Sequence, residues 1–391
     1  MKTRPKYLNQ IYPFLNKDII KVFVGQRRVG KSKLLLQTMD ELKQQGVREE
    51  DIVYIDKENL SFDHIQDYQT LYSTVKSYTH IFIDEVQYIA WREKAILSLQ
   101  WEGKDIYITW SNADLLSSDL ATRLRGRYVQ ITVYPLDYQE FIDFHDMQAD
   151  TETFETYMTF GGMPYLINLP LEEEIVYQYL KSLWNAIILK DIIERFSIRN
   201  AAIFNKLITY MAKTIGNIFS SPNIAAFLKH EKLSLTPATI LGYVQYLMSA
   251  YVIQEWVRYN ILGKKIFEIK QKYYFTDIGI RNALVGWFQS VDRGGILENV
   301  VFCNLISHWR IVKIGEIEGK EVDFVCEKDG KIIYLQVAYL LQTDDTIERE
   351  FSSLLAIRDS RPKYVLSMDP WASGVREGVE RKNVSEFLLG L

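Results

Sequence analysis

The sequence predicts an α/β chain: a parallel sheet built around a phosphate-binding loop, then a helical stretch, then a second and smaller α/β layer. Three observations carry this. An apolar run at residues 19–24 leads into the loop Gly25-Gln26-Arg27-Arg28-Val29-Gly30-Lys31-Ser32, and Leu34, Leu35 and Leu36 then open a helix. Short β-branched runs separated by helix-length segments continue to Val133, the pattern of strands covered on both faces. After Leu136 the apolar period becomes helical, and after Gly294-Gly295 strand-like runs return.

The loop has the residue types that cradling a phosphate requires. Gly25 and Gly30 let the backbone curl so that successive N–H groups converge, which a Cβ would obstruct. The helix that starts near Lys31 adds the positive end of its dipole. Lys31 reaches β- and γ-phosphates as a point charge, and the Ser32 hydroxyl is a ligand for Mg²⁺. The nucleotide-contacting set is therefore Gly25, Gln26, Arg27, Arg28, Val29, Gly30, Lys31, Ser32 and Lys33, with ATP and Mg²⁺ as the expected ligands. A glycine turn that matches by chance is the alternative.

Strands are expected at 52–55, 81–84, 106–109 and 128–133. In a parallel sheet, ligands sit at the carboxyl ends of the strands. Ile81-Phe82-Ile83-Asp84-Glu85 delivers two consecutive carboxylates to such an end, a costly arrangement unless a cation or water engages them. Asp84 is the expected Mg²⁺ ligand and Glu85 the general base for water. The next strand carries Ser111 and Asn112 to the neighbouring end, where Asn112 holds the water or γ-phosphate or else caps a turn. Arg123, Arg125 and Arg127 precede the last strand; Arg127 and Arg123 are the leading candidates for neutralising charge on the transferred phosphoryl group, within one chain or between two. Pairing with surface carboxylates is the other account of them.

These motifs, with Ile83-Asp84-Glu85-Val86-Gln87-Tyr88, Gly126-Arg127-Tyr128 and Tyr134-Pro135-Leu136, resemble the archaeal and bacterial AAA-type P-loop ATPases that carry a C-terminal domain of unknown function. Phe160-Gly161-Gly162-Met163-Pro164 and Gly295-Ile296-Leu297-Glu298-Asn299 are similar to later signatures of that family, so the resemblance spans nearly the whole chain. Trp110 departs from it, standing where a small residue is expected before Ser111-Asn112. The resemblance implies a P-loop ATPase core at 1–133, a helical lid at 134–198 and a C-terminal domain at 285–391, and the residue pattern between them places a winged-helix-like module at 199–284. It also makes a homo-oligomer a candidate assembly.

Composition narrows the class. The chain has 391 residues, 48% of them hydrophobic and 25% charged, enough apolar material for several cores. Its two cysteines, Cys303 and Cys326, form neither a disulfide framework nor a metal-ligand spacing. No apolar run follows residues 1–6 as in a secretory leader, and none is long enough to span a bilayer, so a cytoplasmic protein without a membrane partner is expected. The net charge of −4 is unevenly spread: residues 134–196 hold 12 acidic and 3 basic side chains, whereas 199–275 hold 10 basic and 3 acidic.

That basic stretch reads as three helices, near 203–215, 221–228 and 236–248, followed by a hairpin at 251–257 and 265–275, the order of a winged helix. The third helix presents Thr239, Tyr243 and Gln245 and is poor in arginine, while Lys264, Lys265, Lys270 and Lys272 lie on the hairpin. Phosphate contact with double-stranded DNA by the hairpin is therefore favoured over base readout. Docking on the acidic stretch, or a protein partner, is the alternative.

The final segment gives a helix at 296–309, strands near Ile311, Val322 and Ile333, a helix near 346–357 and a strand at 364–366. With Glu298 in the first helix and Glu321-Val322-Asp323 on a strand, it resembles the PD-(D/E)xK nuclease fold. That resemblance implies a degenerate site of Glu298, Asp323 and Gln336, because Gln336-Val337-Ala338 has an amide for the acidic ligand and an alanine for the lysine. The expected function is Mg²⁺-dependent ATP hydrolysis that drives a conformational change. A slowly turning switch or scaffold and an ATP-coupled nuclease are the alternatives, the last opposed by Ala338.

Overall fold

In a computed structural model describing residues 2–112, 124, 126–230, 232–233, 235–263, 266–286, 293–370 and 374–391, with backbone alone at 189, 190 and 266–270, the chain forms two units. They are Met1–Tyr134 with Ser249–Tyr251, and Pro135–Met248 with Val252–Leu391.

The first unit contains, in order, α1 (Pro5–Ile11), β1 (Ile20–Val24), α2 (Lys31–Gln44), β2 (Ile52–Asp56), α3 (Tyr68–Val75), β3 (His80–Asp84), α4 (Arg92–Trp101), β4 (Asp105–Trp110) and β5 (Tyr128–Thr132). All neighbouring strands are parallel, in the order β2-β3-β4-β1-β5. β1, β3 and β4 are apolar along almost their whole length because helices cover both faces of the sheet, and their Ile and Val side chains form one core with Leu71, Ile96 and Leu99. Lys21 is one exception. Fully buried in β1, its ammonium pairs with Asp105 on β4 and donates to the Lys17 carbonyl at 2.6 Å, while the Tyr107 hydroxyl donates to Asp105 at 2.8 Å. Burial lowers the Lys21 pKa and Asp105 opposes that shift, so the amino ends of β1 and β4 are tied by a buried ion pair. A capping box between Asp67 and Thr70 starts α3.

The second unit opens with α5 (Tyr138–His145), α6 (Thr151–Phe160) and α7 (Glu173–Ala186), which runs on into a π-helical stretch (Ile187–Glu194). Then follow α8 (Ala201–Lys213), α9 (Ser221–His230), α10 (Pro237–Ser249), β6 (Ile253–Asn260), β7 (Ile266–Phe275), α11 (Ile278–Val285), α12 (Arg293–His308), β8 (Ile311–Ile317), β9 (Lys320–Lys328) and β10 (Lys331–Val337). The chain ends with α13 (Asp344–Leu355), β11 (Lys363–Ser367), β12 (Gly374–Arg376), β13 (Val379–Asn383) and α14 (Val384–Leu389). The eight strands form one mixed sheet in the order β12-β13-β11-β10-β9-β8-β6-β7.

Two features differ from the sequence reading. The hairpin expected as a wing is the edge of this sheet, with Arg258 to Asn260 of β6 pairing in parallel with Ile314 to Glu316 of β8. Buried ion pairs hold it there: Arg258 meets Glu316 at 3.1 Å, and Lys272 meets Glu298 at 2.9 Å and Glu321 at 2.5 Å. A boundary at 284/285 therefore falls within a shared sheet. Residues 135–198, expected as a lid, also pack into the second unit. The Tyr138 N–H donates to Asn304 Oδ1 at 2.8 Å, His308 meets Asp137 at 2.7 Å and the Gly162 N–H donates to Asp277 at 2.8 Å. Gly161-Gly162 is a packing junction as well as a helix stop. Gly161 has φ +76°, and a Cβ on Gly162 would collide with the Leu136 carbonyl oxygen. β12, β13 and α14 were not anticipated.

Candidate functional site

β4 lies between β1 and β3, so the loop after β1, the acidic pair after β3 and Ser111 after β4 share one edge of the sheet. Gly25 has φ +142°, and a Cβ there would strike the Val133 carbonyl oxygen. Gly30, at φ +99°, starts α2 with no side-chain cap, which leaves first-turn N–H groups to the loop's concavity. The buried Lys31 ammonium donates to the Gly25 and Gln26 carbonyls at 2.9 Å each. Arg27 pairs with Glu58 at 3.0 Å and donates to the Tyr88 hydroxyl at 2.5 Å. Gln26 and Val29 are buried, Arg28 adopts φ +66° and Lys33 is exposed on the first turn of α2.

Asp84 is 3% exposed and accepts hydrogen bonds from Thr109 at 2.5 Å, Tyr54 at 3.2 Å and Ser32. Burial raises its pKa, the Ser32 and Thr109 hydroxyls counter the rise, and the Glu85 and Asp56 carboxylates add to it. The buried Asp84 carboxylate and the Ser32 hydroxyl bonded to it are two adjacent hard oxygen donors of the kind Mg²⁺ takes. Glu85 adopts the left-handed conformation, φ +55°, at the tip of β3. Its N–H donates to Thr109 Oγ1 at 2.7 Å, and its carboxylate accepts from the Ser111 hydroxyl and the Gln87 amide.

Two expectations need correction. The Asn112 side-chain carbonyl is taken by the Trp110 indole N–H at 2.8 Å, and it is Ser111 that bonds Glu85. Arg127 lies at the amino end of β5, where its carbonyl accepts from the Ile20 N–H at 2.9 Å and its guanidinium sits 4.3 Å over the Trp101 ring. The five residues of β5 put it roughly 15 Å from the phosphate loop, which excludes an own-chain role at the phosphates. Arg123 and Arg125 lie outside the described residues.

Sequence reasoning missed Thr109, Tyr54, Gln87 and Arg4. Thr109 stands two residues before Ser111, at the end of β4, and Gln87 two after Glu85; such spacings are usable signals. Nothing local marks Arg4, whose Nη1 donates to the Val29 carbonyl at 2.9 Å from 25 residues away.

In the second unit, Glu298 on α12, Asp323 on β9 and Gln336 on β10 are brought together: the Asp323 N–H donates to Gln336 Oε1 at 3.4 Å, and Glu298 raises the Asp323 pKa after burial, the larger cause. Lys272 of β7 enters the same cluster through Glu298 and Glu321. It is buried and ion-paired, so it is removed from the expected DNA-contacting set; Lys264, Lys265 and the Lys270 side chain lie outside the described residues. The Gln336 amide donates to Glu350 at 3.0 Å. Among the described residues, no group of three or more His, Cys, Asp or Glu is arranged to hold a metal ion, and no helix is long and apolar enough to cross a membrane.

Comparison with known proteins agrees with the geometry of the first unit. Residues 17–142 match the AAA domain family, and residues 151–291 match a domain of unknown function, DUF8612. An uncharacterized protein of Haemophilus influenzae is 31% identical over 405 residues, spanning 100% of this chain and 99% of its own. The chain belongs to the family of that protein. An uncharacterized protein of Methanocaldococcus jannaschii is similar to this AAA-domain chain at 29% identity over 345 residues, 82% of this chain and 74% of its own. The Walker-type ATPase of Pyrococcus abyssi shares the fold, with a TM-score of 0.50 at 16% identity, across 72% of this chain and 95% of that one. The first unit of this family member is thus an AAA-type, P-loop ATPase-like domain.

Proposed function

We propose that the protein binds ATP with Mg²⁺ at the first unit and hydrolyses it, coupling turnover to a conformational change in the rest of the chain. The observation that carries this reading is the meeting of three strand ends, where the loop of β1, the Asp84-Glu85 pair of β3 and Thr109-Ser111 of β4 form one hydrogen-bonded array. Gly25 to Lys33 envelop the phosphates, and Lys31 exchanges its two loop carbonyls for phosphate oxygens. Ser32 and Asp84 would hold Mg²⁺, which when bound offsets negative charge on the β- and γ-phosphates. Glu85 accepts the proton of the attacking water, and Thr109 fixes the backbone from which it reaches out. Ser111 and Gln87 bond the Glu85 carboxylate, so the base must leave them to meet water.

That last contact also favours a second reading, a nucleotide-controlled switch that turns over slowly and binds a protein partner. Steady-state phosphate release by wild type and Glu85→Gln separates the two. Hydrolysis predicts a fall of about 10²-fold or more, because a general base contributes that much; an unchanged rate removes Glu85 from its role.

For the second unit we infer a PD-(D/E)xK-like scaffold that does not cut, supported by the Gln336 amide, Ala338 and the internally paired Lys272. The three helices before β6 support a winged-helix-like arrangement whose hairpin is committed to a sheet. DNA contact through Lys264, Lys265 and Lys270, a cytoplasmic location and a homo-oligomer that brings Arg127 or Arg123 to a neighbour's phosphates complete the proposal. Incubation of supercoiled plasmid with Mn²⁺ tests the scaffold: nicking abolished by Asp323→Ala would overturn it.

A further inference from the structure

We propose that Arg4 is a positioning residue of the phosphate cradle, its guanidinium orienting the Val29–Gly30 peptide so that the Gly30 N–H faces the triphosphate. Arg4 precedes α1 and is 5% exposed, with its guanidinium 4.6 Å from the Tyr7 ring. Its Nη1 donates to the Val29 carbonyl and to the Tyr134 carbonyl, each at 2.9 Å. Its backbone is held as well: the Arg4 N–H donates to Gln37 Oε1 on α2 at 3.4 Å, and Gln37 Nε2 donates to the Lys2 carbonyl at 2.9 Å. A Cβ placed on Gly30 would lie 4.0 Å from Arg4 Nη1, so the guanidinium packs directly behind that glycine.

A planar trans peptide points its C=O and N–H in opposite directions. A cation that captures the Val29 carbonyl behind the loop therefore turns the Gly30 N–H toward the concave side, where an anion is received. The buried charge adds a fixed positive potential behind the same peptide, in surroundings where water screens it weakly. Sharing one nitrogen between Val29 and Tyr134 also ties the loop to the last residue of the first unit's main segment.

This inference rests on the nucleotide reading above, and the test keeps the two apart. Calorimetric titration with Mg²⁺ and a non-hydrolysable ATP analogue compares wild type, Arg4→Met, Arg4→Lys and Tyr7→Phe. Arg4→Met weakens affinity by about tenfold or more, the worth of one charge-assisted hydrogen bond. Arg4→Lys, which keeps a charged donor, recovers most of it. Tyr7→Phe removes the acceptor of the Tyr134 N–H, 2.9 Å away, without touching Val29, and leaves affinity within about twofold even where it lowers stability. Magnesium tripolyphosphate shifts the Gly30 amide resonance in wild type, and that shift is lost in Arg4→Met. Should Arg4→Met fail to fold, Arg4→Gln carries the same measurements. Wild-type affinity in a folded Arg4→Met or Arg4→Gln overturns the proposal, as does equal weakening by Tyr7→Phe, which would reduce Arg4 to an anchor for α1. Absence of analogue binding by the wild type would instead sink the nucleotide reading.

Discussion

Thr109→Val tests the candidate site at its most economical point. The fully buried Thr109 hydroxyl touches both members of the acidic pair: it donates to Asp84 at 2.5 Å and accepts from the Glu85 N–H at 2.7 Å. Valine keeps the shape and removes both bonds. Loss of the charge-assisted bond costs about 1.5–3 kcal/mol, and the stranded buried N–H a further ~1–3 kcal/mol. The sum, about 2.5–6 kcal/mol before relaxation, is a large share of an ordinary domain's stability of ~5–15 kcal/mol. Glu85 also stands in a left-handed conformation that non-glycine residues adopt at a cost of about 1–2 kcal/mol, and Thr109 is what holds it there. Released, the carboxylate shifts, and a displacement of ~1 Å at a reacting group costs about 10²-fold in rate. Urea unfolding and steady-state phosphate release measure the two effects on one preparation. Thr109→Ser, which keeps the hydroxyl, stays within about threefold of the wild-type rate. A Thr109→Val protein with an unchanged urea midpoint and a near-wild-type rate would refute the reasoning.

Lys272→Met, which leaves Glu298 with the Tyr274 hydroxyl and Glu321 with the more distant Arg258, lowers stability by about 3 kcal/mol in urea, and adding Glu298→Gln restores part of the loss. The salt dependence of any DNA affinity does not change with Lys272→Met, because the ammonium is already buried and paired. Asp277 is buried where it caps α11 and receives the Gly162 N–H, and burial pushes its pKa up to about 6. Since the folded value lies above the unfolded one, its contribution to stability is fully present below the ordinary carboxylate range and is lost as pH rises through about 6. The difference between the stability curves of wild type and Asp277→Asn, measured by urea unfolding from pH 4 to 7, shows that slope; parallel curves would contradict it.

Much of the first unit is legible in the chain because its signals are local. The residue string from Val22 to Leu36 holds strand, turn and helix within one stretch, and the glycines stand where the observed φ of +142° and +99° exclude a side chain. The buried runs at 81–84 and 106–109 likewise read as parallel strands. Trp110 was legible as an oddity but not in its effect, since the capture of Asn112 depends on how the indole turns after the strand ends. Arg127 misled because nearness in sequence to a strand does not say which end of the sheet it occupies.

What the chain alone determined is the chemistry at each strand end: an amide-rich loop with a lysine and a serine, and two adjacent carboxylates. Strand order was decided by folding, and it is strand order that inserts Thr109 between Asp84 and Glu85 and sets Ser111 against the base. The same holds for Arg4 behind Val29 and for Lys272 among Glu298 and Glu321. Each is a charged group whose burial is tolerable only beside partners far along the chain, and a desolvation cost of that kind is settled by packing, which no local pattern records.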